Sequence, residues 1–540
     1  MQNYMADMTV EEQIGQLLMV GFLGITPSQE VINMIQRYHV GGIILFSRNI
    51  QNPLQVFELT QSLQTIAREA GHHQPLLIAI DQENGNVRRL GQDATIFPGN
   101  MALGATGSEQ LTYDIALATG QELKALGINM NLAPVVDVNN NPANPVIGVR
   151  SFGEDPFEVA RLAAASVRGH RAAGIIATLK HFPGHGDTAT DSHLALPTIT
   201  STIDRLEAVE LVPFNSGIKA GAASVMTAHI YLPHIMGEEA LPATLSPVVI
   251  RGLLREKLAF DGTIISDCME MDAITKTVGA EQGALMALQA GNDLVLVSHT
   301  YARQKGSFAT IQAALQNGEL APSVVQQAVE HVLQLKERYV SWDNLSASNA
   351  LACVGSAAHQ QLRDRAYELS TTLVANREAL IPLHLQPHER ILVLSQHKGA
   401  FSRAEDKYFS LEALAASIRQ RHENVQTLFA PSQPTEDEYQ QILHIAAEAD
   451  VIIVATVNAH LDQQQAKMMQ RLIQPGRHVI GIAVGIPYDL LAFPQLGTYL
   501  VTYEYSQPAL VAAVRVLFGE IQAQGHLPVS LPGLYAREQG

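Results

Sequence analysis

The chain has 540 residues, 47% of them hydrophobic and 16% charged, with a formal net charge of -17. Such a composition excludes a disordered or fibrous chain, and the length exceeds what one hydrophobic core usually fills. With no run of Lys or Arg to offset the acidic balance, a polyphosphate backbone would be repelled, so nucleic acid is not an expected partner.

Cys268 and Cys353 are the only two cysteines. They supply neither a disulfide framework nor a Cys-based metal cluster, and they fit a reducing compartment. The apolar stretch 17–25 follows Asp7, Glu11 and Glu12 instead of a basic segment, so it reads as core and not as a secretion signal. No run reaches the roughly 18 to 20 apolar residues of a membrane span. The expectation is a cytoplasmic protein with no membrane partner, and a monomer by default.

In chain order, Thr9 and Glu12 have the spacing of a capping box and open a helix near residue 10. Eight short aliphatic runs follow: 19–22, 41–46, 76–81, 128–137, 175–182, 224–229, 262–267 and 293–297. Between most of them lie amphipathic or Ala-rich stretches, such as 111–126, 156–173 and 281–290. Parallel strands buried on both faces read as continuous apolar runs. Eight such units predict a (β/α)8 TIM-type barrel over residues 1–337, with an open doubly wound sheet as the rival architecture. Residues 338–358 read as a linker. Over 359–540, strands at 390–395, 451–457, 478–485 and 499–505, separated by helical stretches 411–421 and 436–449, predict a C-terminal three-layer α/β sandwich.

Charged residues sit at the trailing ends of the barrel runs: Asp81, Asp137, Lys180 with His181, His229 and Asp267. A barrel gathers those ends at one mouth, where active sites form. Read singly, each Asp is equally a helix cap. The densest group is Lys180-His181-Phe182-Pro183-Gly184-His185-Gly186-Asp187-Thr188-Ala189-Thr190-Asp191-Ser192-His193-Leu194-Ala195-Leu196-Pro197. Within it Asp191 can orient and charge-stabilise His193, an imidazole able to protonate a leaving oxygen and later deprotonate water. Asp267, ending the seventh run, can attack an anomeric carbon as in a retaining glycosidase.

These residues resemble glycoside hydrolase family 3, in its β-N-acetylglucosaminidase branch. Residues 180–197 are similar to that branch's signature loop. Ala79 to Leu90, Asn131 to Val138, Arg150 to Pro156 and Ser266-Asp267-Cys268-Met269-Glu270-Met271 are similar, in order, to its other motifs. The resemblance implies Asp267 as nucleophile, His193 as acid/base and Asp191 as its dyad partner. It also implies Asp81, Arg89, Arg150, Lys180 and His181 as ligands of the sugar hydroxyls. The implied activity is hydrolysis of terminal N-acetylglucosamine from chitooligosaccharides or peptidoglycan fragments, with no cofactor and no metal. One departure is Glu83-Asn84-Gly85-Asn86, where the family commonly has Glu-Gly-Gly-Arg. Residues from about 359 resemble the family's second domain more weakly, ending in Gly525 to Gly533; its expected role is stability, cleft shape or distal sugar contacts.

Three rival readings use the same residues. One is a metal-dependent barrel hydrolase with His181, His185, Asp187, Asp191 and His193 as ligands. Another is a phosphorylase or transglycosylase that keeps the Asp267 nucleophile. The third is a catalytically silent sugar-binding protein.

Overall fold

The computed structural model describes residues 5, 7–188, 196–238, 240–344, 348–396 and 412–537. Eight parallel strands lie in the order β8-β1-β2-β3-β4-β5-β6-β7. They are β1 (Leu18–Val20), β2 (Gly42–Leu45), β3 (Leu77–Ile80), β4 (Met130–Asn131), β5 (Ile176–Phe182), β6 (Ser224–Thr227), β7 (Thr263–Ser266) and β8 (Val295–Val297). A parallel bridge between Ile265 and Leu294 joins β7 to β8 and closes the barrel. Seven of the eight aliphatic runs contain one of these strands and the run 19–22 overlaps β1, and with the barrel closed the open doubly wound sheet is excluded.

Alternation along the strands sorts the core into two layers. Met19, Ile44, Leu77, Ala79, Ile176, Met226, Ile265 and Leu296 fill the barrel interior. Their neighbours Leu18, Val20, Ile43, Leu45, Ile78 and Ile80 pack outward beneath the helices. Because both layers are apolar, the strands carry no polar alternation in sequence. The helix after Thr9 runs Val10–Gln16 and has the full capping box, Thr9 with Glu12. The helices at Glu109–Ala125, Pro156–Ala173 and Ala280–Ala290 close the expected stretches to within two residues.

After the helix Pro322–Tyr339 the chain passes through two short 3-10 turns, Trp342–Asn344 and Ser348–Cys353, into the helix Ala357–Ser370. A second sheet follows, in the order β9-β14-β13-β12-β10-β11. Its strands are β9 (Thr372–Asn376), β10 (Ile391–Gln396), β11 (Val425–Ala430), β12 (Val451–Thr456), β13 (His478–Ala483) and β14 (Thr498–Val501). Sequence patterning finds the four inner strands and misses β9 and β11. Both are edge strands with partly exposed faces, so neither has the continuous apolar run of a buried strand. β9 pairs antiparallel with β14, which makes the sheet mixed. Among the described residues, no helix is long and apolar enough to cross a membrane.

The C-terminal segment clamps the second domain onto the barrel. Pro528 O accepts the Glu154 amide at 3.2 Å, His526 donates its amide to Ala105 O at 2.8 Å, and Arg537 Nη2 meets Asp155 Oδ2 at 2.9 Å. The helix Asn100–Thr106 is gripped on this seam. A Cβ on Gly104 would stand 1.9 Å from the Phe152 carbonyl oxygen and 3.3 Å from Pro528 Cβ. Gly104→Ala is therefore expected to destabilise the protein by about 1–3 kcal/mol, seen as a lower melting temperature; an unchanged melting curve would show that the seam gives way freely.

Candidate active site

Strand parity decides which side chains reach the barrel mouth. Asp81 continues the inward series of Leu77 and Ala79, Lys180 that of Ile176, and Asp267 that of Ile265. The three charges thus rise from the ends of β3, β5 and β7 toward one opening. Continuous apolar strands that each end in an inward charge produce this mouth directly from sequence order.

Lys180 Nζ lies 2.7 Å from Asp81 Oδ1 and 2.7 Å from Glu83 Oε1. Arg150 forks onto Glu83, with Nε to Oε2 and Nη2 to Oε1 both at 2.8 Å. Its Nη2 also donates to His181 Nε2 at 3.3 Å, and His181 Nδ1 donates to Asp137 Oδ2 at 2.8 Å. Arg89 Nη2 stands 3.9 Å from Asp81 Oδ2 and leans over the Phe46 ring. The five predicted sugar-binding residues therefore form one network. Two members were missing from the predicted set, Glu83 and Asp137. The signal that could find Glu83 is charge counting: the predicted set holds three cations, Arg89, Arg150 and Lys180, against the single carboxylate Asp81, and buried cations demand further counter-charge.

Burial by itself would raise the Glu83 carboxyl, but the Arg150 and Lys180 charges outweigh it and hold the group well below the usual carboxylate range. Burial would likewise neutralise Lys180, yet Asp81 and Glu83 raise its affinity for the proton. Glu83 and Lys180 thus keep their charges with their hydrogen bonds fixed. Asp81, at 16% side-chain exposure against 2% for Lys180, is the part that opens to the mouth. A preset acceptor beside charged donors suits the hydroxyls of a neutral sugar.

Asp137 caps no helix. It accepts the main-chain amides of His181 at 3.2 Å and His185 at 2.7 Å, and so folds the loop after β5 back onto the barrel. Burial, reinforced by the neighbouring His181, pushes His185 down to about 4, and Thr188 Oγ1 meets its Nδ1 at 2.9 Å. Gly186 passes so close to Val138 O that a Cβ would stand 1.7 Å away. Asn144 Nδ2 donates to the His185 and Gly186 carbonyls at 3.0 and 2.8 Å. On the far side Pro197 O accepts the Tyr231 amide at 2.8 Å. Both stems of the loop are thus anchored. Asp191 and His193 fall within 189–195, outside the described residues.

Asp267 is half-buried at the end of β7. Its amide donates to Thr227 O at 3.1 Å, and its Oδ1 accepts the Cys268 amide at 2.7 Å. The helix that follows, Asp272–Thr275, has Met271 at its N-cap, so Asp267 is not a helix cap. Buried His229 steadies the turn, its Nε2 donating to Cys268 O at 3.0 Å. As to the metal-ligand reading of the loop, His181 and His185 stand edge to face with ring centroids 6.0 Å apart. Among the described residues they do not form a compact three-ligand set.

Residues 9–335 match the glycosyl hydrolase family 3 N terminal domain, and residues 371–537 match the glycosyl hydrolase family 3 C-terminal domain. The chain belongs to glycosyl hydrolase family 3. It is a glycoside hydrolase, similar over 93% of its length to a beta-hexosaminidase A of Pseudoalteromonas piscicida, at 32% identity and covering 91% of that protein. A family 3 beta-N-acetylglucosaminidase structure from Paenibacillus sp. str. FPU-7 superposes with a TM-score of 0.89 at 40% identity, covering 97% of this chain and 99% of that one. A fungal multi-domain family 3 beta-N-acetylglucosaminidase reaches 0.93 at 44% identity, over 98% of this chain; the family 3 chain spans 62% of that longer protein.

Behind the charge network of this family 3 chain lies a small pocket bounded by Glu83, Asn86, Gly99, Arg150 and, from the second domain, Tyr503 and Glu504. Glu504 accepts the Gly99 amide at 3.2 Å, and burial pushes its carboxyl from 4.5 up to about 7. The folded chain therefore holds this proton more tightly than the unfolded chain. The stabilisation is complete below about pH 4.5 and is lost as pH rises through about 7. Glu504→Gln is expected to gain up to about 3 kcal/mol over the wild type above pH 7 and to show no gain below pH 4.5. Melting curves across that range test it, and a gain independent of pH would contradict the raised carboxyl. Glu83→Ala, which strips two buried cations of a shared partner, is expected to cost about 3–5 kcal/mol; a loss under 1 kcal/mol in chemical denaturation would show that the cations re-pair.

Proposed function

We propose that the protein is a retaining exo-β-N-acetylglucosaminidase that removes terminal non-reducing N-acetylglucosamine. The observation that carries the proposal is the shared inward parity of Asp81, Lys180 and Asp267, which brings a charge network suited to sugar hydroxyls and a half-buried carboxylate to one mouth. The beta-N-acetylglucosaminidase named for the Paenibacillus structure supports the choice of sugar.

In this reading Asp81, Arg89, Arg150, Lys180 and His181 bind the sugar, and Asp267 attacks its anomeric carbon. His193, oriented by Asp191, gives a proton to the departing oxygen. The glycosyl-Asp267 ester is then opened by water, from which His193 takes the proton back, so the anomeric configuration is retained. Only water and the glycoside are consumed, without a cofactor or metal in the reaction. The division into a barrel at 1–337, a linker at 338–358 and a sandwich at 359–540 assigns all chemistry to the first domain. The substrates proposed are chitooligosaccharides or peptidoglycan fragments, handled by a cytoplasmic monomer; two unpaired cysteines fit that compartment.

Hydrolysis of a chromogenic β-N-acetylglucosaminide tests the proposal, with the β-glucoside as control. Asp267→Ala is expected to lower kcat at least about a thousandfold, and His193→Ala about 10²- to 10⁴-fold. Preference for the glucoside would overturn the choice of sugar. Full activity in His193→Ala would move the acid/base elsewhere.

A further inference from the structure

Next to Asp267 stands a second group of chemically competent side chains that the proposed reaction does not use. Cys268 Sγ, a Glu270 carboxylate oxygen and a His299 ring nitrogen all lie within 4.8 Å of one another. The thiol is 3.8 Å from His299 Nδ1, which is 3.8 Å from Glu270 Oε2. A tetrahedral zinc ion bound at about 2.3 Å to sulfur and about 2.0 Å to nitrogen sets such ligand atoms roughly 3.5 Å apart. The observed spacings need only small movements to meet that figure.

A second observation points to a ligand. The Glu270 side chain is 5% exposed, and its Oε2 is pinned by the amides of His299 at 2.5 Å and Thr300 at 3.2 Å. Its other oxygen, Oε1, is buried without a hydrogen-bond partner; its nearest cation is Arg303 Nη1 at 3.8 Å. Buried carboxylate oxygens ordinarily find a donor or a cation. Ser298 Oγ lies 2.9 Å from Cys268 Sγ and 2.8 Å from His299 Nδ1, so it bridges the two atoms a cation would take and gives up both contacts on binding. His299, with 53% of its side chain exposed, gives a route in from the mouth. Two guanidinium groups oppose a cation here, but Arg48 is committed to the Phe22 and Ser298 carbonyls, and Arg303 is 40% exposed and can swing outward.

We propose that Cys268, Glu270 and His299 form a binding site for a thiophilic divalent cation of the zinc class, and that occupancy inhibits the enzyme. On binding, the thiol proton leaves to solvent, so the site gains one net positive charge. That charge sits beside the carboxylate whose Oδ1 accepts the Cys268 amide. A glycosidase transition state carries developing positive charge at the anomeric carbon, and an added cation nearby disfavours it. The metal thus acts on the rate without joining the chemistry. Binding itself stands independently of the sugar assignment; only the inhibition rests on the proposed hydrolysis.

The test titrates metal-free, full-length enzyme with Co²⁺ and reads the sulfur-to-cobalt charge-transfer band, followed by displacement with Zn²⁺. One Co²⁺ per chain is expected, with the band lost in Cys268→Ser and kept in Cys353→Ser. His299→Ala, a change at an exposed side chain, is expected to weaken binding at least 10-fold, since even outer partners of a metal site are worth roughly 10- to 100-fold. Absence of the band in the wild type, or its loss in Cys353→Ser but not in Cys268→Ser, overturns the site. Saturating Zn²⁺ is expected to slow hydrolysis of the chromogenic β-N-acetylglucosaminide about tenfold or more, with sensitivity reduced in His299→Ala. Equal inhibition of the wild type and that variant overturns the regulatory role. If metal-free wild type cleaves no N-acetylglucosaminide, the sugar assignment fails while the cobalt result still decides the site.

Discussion

Glu83, buried between Arg150 and Lys180, is the interaction on which the mouth of the barrel depends. Two cations sealed from water would each cost several kcal/mol to desolvate. One bidentate carboxylate lets both stay charged, and Asp81 completes the shell of Lys180. The arrangement extends through His181 to Asp137, which holds the loop carrying the proposed acid/base. The proposed sugar contacts and the anchoring of that loop therefore share one continuous set of buried polar groups.

The second domain meets this network from behind. Glu504, Tyr503 and the segment around Pro528 press on Gly99, Gly85 and Glu154, which lie next to the motifs that carry Glu83 and Arg150. The sandwich thereby limits how far the barrel loops can relax. Among the described residues it supplies no member of the charge network itself, which fits a role in stiffening and shaping the cleft.

Asp267 is held differently. It draws on main-chain contacts to Thr227 and Cys268, and its turn rests on His229. The Cys268 amide fixes the direction of the carboxylate at the mouth, which suits the proposed nucleophile. Cys268 and Glu270 lie on that turn and His299 reaches it from beyond the end of β8, so any ligand the three take is coupled to the carboxylate through the Asp267–Cys268 peptide.

Much was legible before any coordinates. Continuous apolar runs marked all eight barrel strands, because strands buried on both faces leave a signal that owes nothing to their neighbours. The inner strands of the sandwich were read for the same reason, and the Thr9 capping box because it closes within four residues. The edge strands β9 and β11 were not, since their half-exposed faces take their identity from the partner strand. Sequence also picked out Asp81, Arg89, Arg150, Lys180 and His181, each by its place beside a strand end or in a family motif. Only the tertiary structure decided that Glu83 and Asp137 are their partners and that Cys268, Glu270 and His299 meet. The pairings of Glu83 with Arg150 and Lys180, of Asp137 with His181 and of Glu270 with His299 join residues 29 to 97 positions apart, and closing such distances is the work of barrel geometry, which local pattern does not encode.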